Sequence, residues 1–184
     1  MKKIHLFLFS LIPLICYSQT DSQNKNNQDQ IFLKINKTLF ENFVNGNFGP
    51  YETKNEQGYY ILNTQSYFSY LNRLDIFSQE FYQKEKERLR ECQQDLEELK
   101  WTGITDLGWE PRSCSFFNYM YWLKSQESPH AYEVSELSIK SNSAQSRLRF
   151  YDNYNNEKSY WHESLLIKYR KFDDIWRIIE ISEE

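Results

Sequence analysis

The residue best suited to acid–base chemistry is a carboxylate in a segment with the pattern of a β-strand. Residues 160–171 alternate in polarity, which predicts a strand, and Glu163 falls on its more apolar face. The other side chains of that face are apolar or aromatic: Trp161, Leu165, Ile167 and Tyr169. Because partial desolvation makes a carboxylate a better proton acceptor, Glu163 could serve as a base or as a polar anchor for a ligand. In the alternative interpretation it lies at the open end of the strand, solvated or paired with Arg147 or Arg149.

The histidines of the domain have no comparable setting. His162 falls on the opposite, polar face of the same strand, and His130 follows a proline in a loop. Neither has an obvious orienting partner for catalysis. Since the sequence also has no CxxC pair, we expect no metal site and no cofactor.

Three tryptophans are candidates for ligand binding, because an indole ring stacks well on sugars and peptides. Trp161 and Trp176 lie in predicted strands, and Trp122 ends an aromatic cluster that begins at residue 116. The alternative is that they pack in a core built on rings, since aromatic residues make up 17% of the chain.

Residues 1–18 have the pattern of a secretory signal peptide. Lys2 and Lys3 precede an apolar run, and small residues precede Gln19 at the positions that a signal peptidase reads. The run is too short to cross a bilayer, which takes about 20 apolar residues, so the mature chain is expected to have no transmembrane span. We expect a periplasmic or secreted protein; the alternative is a lipid anchor at Cys16.

Export decides how the cysteines and the charge of the chain are interpreted. Cys92 and Cys114 become the only thiols, in an oxidising compartment, and are predicted to form a disulfide. Cleavage removes Lys2 and Lys3 and no acidic residue, which takes the formal net charge of −4 to −6. An acidic, dispersed charge is unfavourable for nucleic-acid binding, which needs clustered Lys and Arg.

The mature chain is predicted to hold a polar, disordered leader (19–27) and one domain (28–184). Apolar residues at helical spacing predict three helices, at 28 to about 44, 65–74 and 79 to about 100. Residues 47–58 are predicted to be a loop. The buried stripe of the first helix is predicted as Ile31, Ile35, Leu39 and Phe43, and it is broadened by Phe32, Phe40 and Val44. Thr64 and Ser78 are the predicted N-caps of the others, and Cys92 points inward from the third.

The last third of the domain changes to the period of two that is typical of strands. Short turns between the segments predict a consecutive antiparallel meander: 132–139, 144–151, 160–171 and 175–181. The apolar phase slips between Val134 and Leu137, which predicts a β-bulge and a curved sheet. The fold class is therefore α+β, with N-terminal helices packed on a curved meander of about four strands.

The final strand is apolar on both faces, with Ile175, Ile179 and Ile181 opposite Trp176 and Ile178. A strand covered on both sides indicates a helix on each face or a partner subunit. A homodimer through the outer face of the sheet is therefore one expectation.

Helices followed by a meander that ends in Asp174-Ile-Trp-Arg-Ile-Ile-Glu-Ile181 resemble the nuclear-transport-factor-2-like and cystatin-like superfamily. The partner strand Glu163-Ser-Leu-Leu-Ile-Lys-Tyr169 and the Phe-Ser-x-x-Phe-Tyr motif at 77–82 are similar to those of exported bacterial proteins of this fold. The resemblance implies a sheet wrapped around a helix, with a conical cavity. It implies no function, because the fold hosts enzymes, transport factors and accessory domains. Its enzymes commonly use an Asp–His pair in the cone, and no position of this sequence matches that pair.

Three function classes follow from these observations. The first is a non-catalytic binding or accessory protein of the cell envelope that holds a small or peptide ligand in the cone. The second is an inhibitor or immunity-type protein that blocks a partner enzyme with its acidic surface. The third is a hydrolase or isomerase that uses Glu163.

Overall fold

The computed structural model describes residues 29–44, 50–101, 122 and 128–184. The predicted signal peptide, the predicted leader and Cys114 lie outside these residues. The described residues form an α+β fold, as predicted, in which helices pack on a four-stranded antiparallel sheet. Helix α1 spans 29–39 and continues as a π-helical turn (Phe40–Val44), followed by α2 (Gln65–Leu74) and α3 (Gln79–Leu96). The strands are β1 (Tyr51–Lys54), β2 (Tyr60–Asn63), β3 (Ala131–Ile139), β4 (Ser143–Tyr154), β5 (Glu157–Phe172) and β6 (Ile175–Glu183).

The meander of β3 to β6 confirms the four predicted strands and their order. Two of its turns have only two residues each, Asn155-Asn156 and Asp173-Asp174, and all four have positive φ. Type I′ turns require that conformation at both central positions, and Asn and Asp adopt it more readily than most residues. The strands consequently extend further into the turns than predicted, to Tyr154 and from Glu157.

Three irregularities in register curve the sheet. Val134 pairs with Leu148 but Glu136 pairs with Arg147, which leaves Ser135 as the extra residue of a β-bulge. The phase slip that predicted this bulge is thereby explained. In β5, residues 161–163 lie opposite Phe150 alone, and in β6 Ile179 is the extra residue between two regular pairs.

The bulge at Ile179 also explains why β6 is apolar at both odd and even positions. It returns Ile181 to the inner face, where Ile181 pairs with the buried Ile167. Ile179 is buried on the side of α3, while Ile175 is exposed. A second subunit is therefore not needed to account for the pattern, and the homodimer stays a prediction.

Helix α1 lies across the inner face of the whole sheet. Phe32 makes edge contacts with Tyr169 and Trp176, each at 5.0 Å between ring centroids. About two helical turns further along, Phe40 packs on Tyr132 and Phe150. Of the predicted stripe, Ile35 and Leu39 are buried, as are the flanking Phe32 and Phe40, whereas Ile31 is exposed and Asn36 is buried instead. The side chains of Phe43 and Val44 lie outside the described residues.

Part of the predicted loop 47–58 is instead the first strand of a hairpin. Strand β1 pairs with β2 in antiparallel register, and Gly58 in the turn has φ of +81°, which favours glycine. The hairpin is joined to α3 through β2, where the Leu62 N–H donates to Gln93 Oε1 at 2.7 Å.

Helix α3 begins and faces the core as predicted. The Ser78 Oγ accepts a hydrogen bond from the Phe81 N–H at 3.0 Å, and Cys92 is buried. Because Cys114 lies outside the described residues, the Cys92–Cys114 pairing stays a prediction. The helix ends at Leu96, earlier than predicted, because Lys100 bridges to Tyr59 beside β2. Among the helices of the described ranges, none combines the length and apolar content needed to cross a membrane.

Candidate functional site

The inner face of the sheet carries a buried polar cluster under α1. Asn36, Ser146 and Tyr169 are each 0% exposed. The Asn36 side-chain amide donates to Ser146 Oγ at 3.1 Å, and Ser146 Oγ lies 2.6 Å from the Tyr169 hydroxyl. The Tyr169 hydroxyl in turn donates to Asn36 Oδ1. With Ser146 as donor to Tyr169, the three bonds form a closed ring.

This polar ring holds α1 against the sheet. Burial raises the pKa of Tyr169, and its hydrogen bonds to Ser146 and Asn36 act in the opposite direction. The phenol therefore stays neutral, which suits a group that must donate one hydrogen bond and accept another. Since α1 covers the ring and the surrounding residues are buried, this part of the predicted cone is occupied by the protein itself.

The described residues leave open space at one edge of the sheet instead. A cleft of about 580 Å³ lies between α3 and β6. Helix α3 contributes Phe81, Lys84, Glu85 and Arg88, β6 contributes 179–181 and 183, and Trp122 and Glu184 complete the lining. It is larger than a second cleft of about 450 Å³ beside α1, which Trp176 lines.

A buried carboxylate on α3 has partners on two sides. Glu85 accepts a hydrogen bond from the Tyr67 hydroxyl at 2.6 Å and binds Arg88 through both carboxylate oxygens. Desolvation raises the pKa of Tyr67 well above its ordinary value, and the charge of Glu85 adds to that shift. The Glu85 side chain is 7% exposed and that of Arg88 is 41% exposed, so this ion pair runs from the core to the mouth of the cleft.

A second ion pair joins the two walls. Lys84 on α3 lies 3.0 Å from Glu180 on β6, and Glu180 also pairs with Lys168 on β5. The hydrogen bonds from Lys168 and Lys84 lower the pKa of Glu180, while the bond to Glu180 raises the pKa of Lys84. Both groups therefore stay ionised near neutral pH. The cleft combines an apolar floor, from Phe81, Ile179 and Ile181, with a charged rim.

The structure places the predicted ligand-binding residues in different parts of the molecule. Trp122 lines the α3–β6 cleft and packs 6.4 Å from Phe77 and from Phe81. Trp176 packs on α1. Trp161 lies in the wide bulge of β5, and its indole N–H donates to Asp152 Oδ2 at 2.7 Å.

Glu163 lies in the same bulge and is half-buried. It makes no hydrogen bond or ion pair with any residue in the described ranges, and neither it nor Trp161 lines the two clefts above. The two arginines considered as its partners bind other carboxylates: Arg147 pairs with Glu136 and Glu184, and Arg149 with Glu133.

The histidines have structural or exposed positions. The Nδ1 of His130 accepts a hydrogen bond from the Asn153 N–H at 3.2 Å, which fastens the start of β3 to the end of β4. His162 is exposed. Within the described part of the chain, no group of His, Cys, Asp and Glu side chains is placed to hold a metal ion.

The sequence interpretation missed the charged residues of the cleft. Glu85 was recognisable as a carboxylate within the apolar stripe of α3, flanked one turn away by Phe81 and Leu89. Its position beside an open cleft was not recognisable from the sequence, because that position depends on how α3 meets the edge of a sheet formed about 90 residues later.

Comparisons with known proteins add no relative to this geometry. No protein-family model, no curated protein and no solved structure matches the chain. A functional argument therefore depends on the cleft and its residues.

Proposed function

We propose that this chain is an exported, non-catalytic binding protein whose ligand site is the α3–β6 cleft. The observation that supports the proposal most is where the structure has open space and where it is filled by side chains. Helix α1 fills the inner face of the sheet, whereas the α3–β6 cleft is open and has an apolar floor beside ionised groups. Ligand sites in proteins typically combine apolar lining with a few placed polar groups.

Catalysis through Glu163 is the weaker alternative. A general acid or base needs an orienting partner within hydrogen-bond reach, and Glu163 has none among the described residues. By contrast, Glu85 is bound by Tyr67 and Arg88 and has a fixed position next to open space. Both side chains hold the carboxylate group in place, which suits recognition of a ligand rather than proton transfer.

Small probes test whether the cleft binds ligands. N-acetyl-tryptophan amide and N-acetyl-lysine amide are added separately to isotope-labelled protein, and amide chemical shifts are followed by NMR. We expect concentration-dependent shifts at Phe81 to Arg88 and at 179–184. Trp122→Ala should weaken them, whereas the matched change Trp161→Ala should not. Shifts confined to 161–163 would instead favour a site at Glu163, and the proposed cleft would be wrong.

Export is part of the proposal because it sets where a ligand would be met. The support is the charge and apolar pattern of residues 1–18 together with two remaining cysteines, Cys92 and Cys114, that would pair in an oxidising compartment. Mass spectrometry of the mature protein is expected to find a first residue of Gln19 without lipid. A diacylated Cys16 would contradict soluble export and support an anchored form.

A further inference from the structure

Strand β6 is an edge strand that is covered along only part of its length. Residues 76–78 run beside it in parallel: the Ser78 N–H donates to the Ile178 carbonyl at 2.9 Å, and the Ile178 N–H donates to the Ile76 carbonyl at 2.8 Å. This short strand ends where α3 begins at Gln79. From Ile179 onward the open side of β6 faces the α3–β6 cleft.

The register determines which backbone groups of β6 face that open side. Glu184 exchanges two hydrogen bonds with Ser164 of β5, each 2.9 Å long. Backbone direction alternates along a strand, so Glu180 and Ser182 also bond to β5, while Ile181 and Glu183 point away from it. No described residue accepts from or donates to the outward N–H and C=O groups of Ile181 and Glu183.

We propose that the α3–β6 cleft binds an extended peptide of alternating basic and apolar residues, added as a further strand to the free part of β6. The inference rests on the proposed binding function of the cleft and names its ligand class. Strand addition is a common mode of peptide recognition, in which backbone hydrogen bonds supply affinity and side-chain pockets supply selectivity. The free stretch from Ile179 to Glu184 spans about 20 Å at about 3.3 Å per residue, enough for five residues.

The charges of the cleft favour a basic peptide. Its described lining holds four carboxylates, from Glu85, Glu180, Glu183 and Glu184, and two cations, from Lys84 and Arg88. Lys168 and Arg147, on β5 and β4, pair with Glu180 and Glu184. Glu183 is therefore the lining carboxylate with no ion pair to a described residue. Glu180 and Glu184 share the outer face of β6, where alternate residues of an added strand would lie opposite them. On the inner face, Ile181 favours an apolar residue at the position between, and the exposed Glu183 lies on this face at the end of the strand.

The same charges disfavour a second copy of the chain as the occupant. Two β6 edges in antiparallel contact would bring the carboxylates of Glu180, Glu183 and Glu184 close to those of the other copy, and like charges across strands destabilise pairing. Charged residues on an edge strand are a common protection against such self-association. A basic segment meets no such repulsion.

The test uses the purified protein and a blocked peptide, acetyl-Lys-Val-Lys-Val-Lys-amide, with binding measured by calorimetry. Two forms carry N-methyl groups on alternate amides, one on the second and fourth and the other on the third and fifth. In an added strand only alternate amides point toward β6, so only one of these two sets would form hydrogen bonds with it. One form is therefore expected to bind about tenfold or more weakly, since it loses two backbone hydrogen bonds, and the other to bind like the parent peptide.

Charge is tested with matched changes. Acetyl-Glu-Val-Glu-Val-Glu-amide should bind at least about tenfold more weakly than the lysine peptide. Glu183→Arg in the cleft should weaken binding of the lysine peptide about threefold or more. Glu157→Arg, a change at an exposed residue at the start of β5, should leave it within about twofold.

The possible results separate this inference from the proposed function. Equal effects of the two N-methylated forms, with shifts still at the cleft, would overturn strand addition and leave a binding cleft. Equal affinity for the acidic peptide would overturn the basic preference. Absence of peptide binding when the small probes do shift cleft amides would overturn the inference alone. If the probes shift no cleft residue, the proposed function itself is wrong.

Discussion

Removal of one buried hydroxyl should measure how strongly the polar ring holds α1 on the sheet. In Tyr169→Phe, the hydroxyl that bonds Ser146 and Asn36 is lost while the ring keeps its packing on Phe32. Asn36 Oδ1 then has only a long contact of 3.5 Å with Ser146 Oγ. Because Asn36, Ser146 and Tyr169 are 0% exposed, we expect a loss of about 1–3 kcal/mol in the free energy of unfolding.

Tyr160→Phe on the same strand is the matched control. Its hydroxyl donates to Glu133 at 2.9 Å, but the residue is 40% exposed, so water can replace the lost bond. The expected change is within about 0.5 kcal/mol. Urea denaturation followed by circular dichroism gives both values, with m unchanged if the native and unfolded states are otherwise the same. Equal losses for the two variants would refute the view that the ring stabilises the fold.

The same tyrosine predicts an alkaline pH dependence. The ordinary pKa of a tyrosine is 10.0, and burial raises the pKa of Tyr169 in the folded state. As pH rises above 10, the unfolded chain loses this proton and the folded protein keeps it, so the free energy of unfolding falls. Tyr169→Phe should make that fall shallower, and an unchanged slope between the two proteins would contradict the raised pKa.

Other contacts give independent predictions. Ser78→Ala should cost about 1 kcal/mol because the side chain caps α3, and Thr64→Ala less than about 0.5 kcal/mol because Thr64 makes no capping bond; equal costs in urea denaturation would contradict the assigned caps. Asn156→Val should cost about 1–2 kcal/mol at φ of +67°, whereas Asn156→Gly should preserve stability, and the reverse order would exclude the positive φ. Thiol titration of the denatured, unreduced mature protein should find no free thiol if Cys92 and Cys114 pair, and two if they do not.

Much of the fold follows from patterns that are local in the sequence. The bulge of β3 was visible because one inserted residue lets Val134 and Leu137, an even and an odd position, both face inward. The cap at Ser78 and the inward position of Cys92 depend on the spacing of residues within one helix. Such features need no knowledge of distant partners.

The polar ring and the cleft could not be predicted in the same way. Asn36 interrupts an apolar stripe, and its burial is favourable only because Ser146 and Tyr169, more than a hundred residues later, satisfy it. For the same reason the burial of Asn36 was not predicted, although Ile35 and Leu39 on the same side of α1 are buried as predicted. The cleft depends on where α3 crosses the edge of β6, which spacing along either element does not specify.

Residue-resolved amide exchange along β6 tests the central claim of a free strand edge most directly. In the protein alone, the amides of Glu180 and Ser182, which bond to β5, should be protected, and those of Ile181 and Glu183 should exchange rapidly. Addition of acetyl-Lys-Val-Lys-Val-Lys-amide should slow exchange at Ile181 and Glu183. Slow exchange at these two amides without peptide, or no change when the peptide is saturating, would contradict the account.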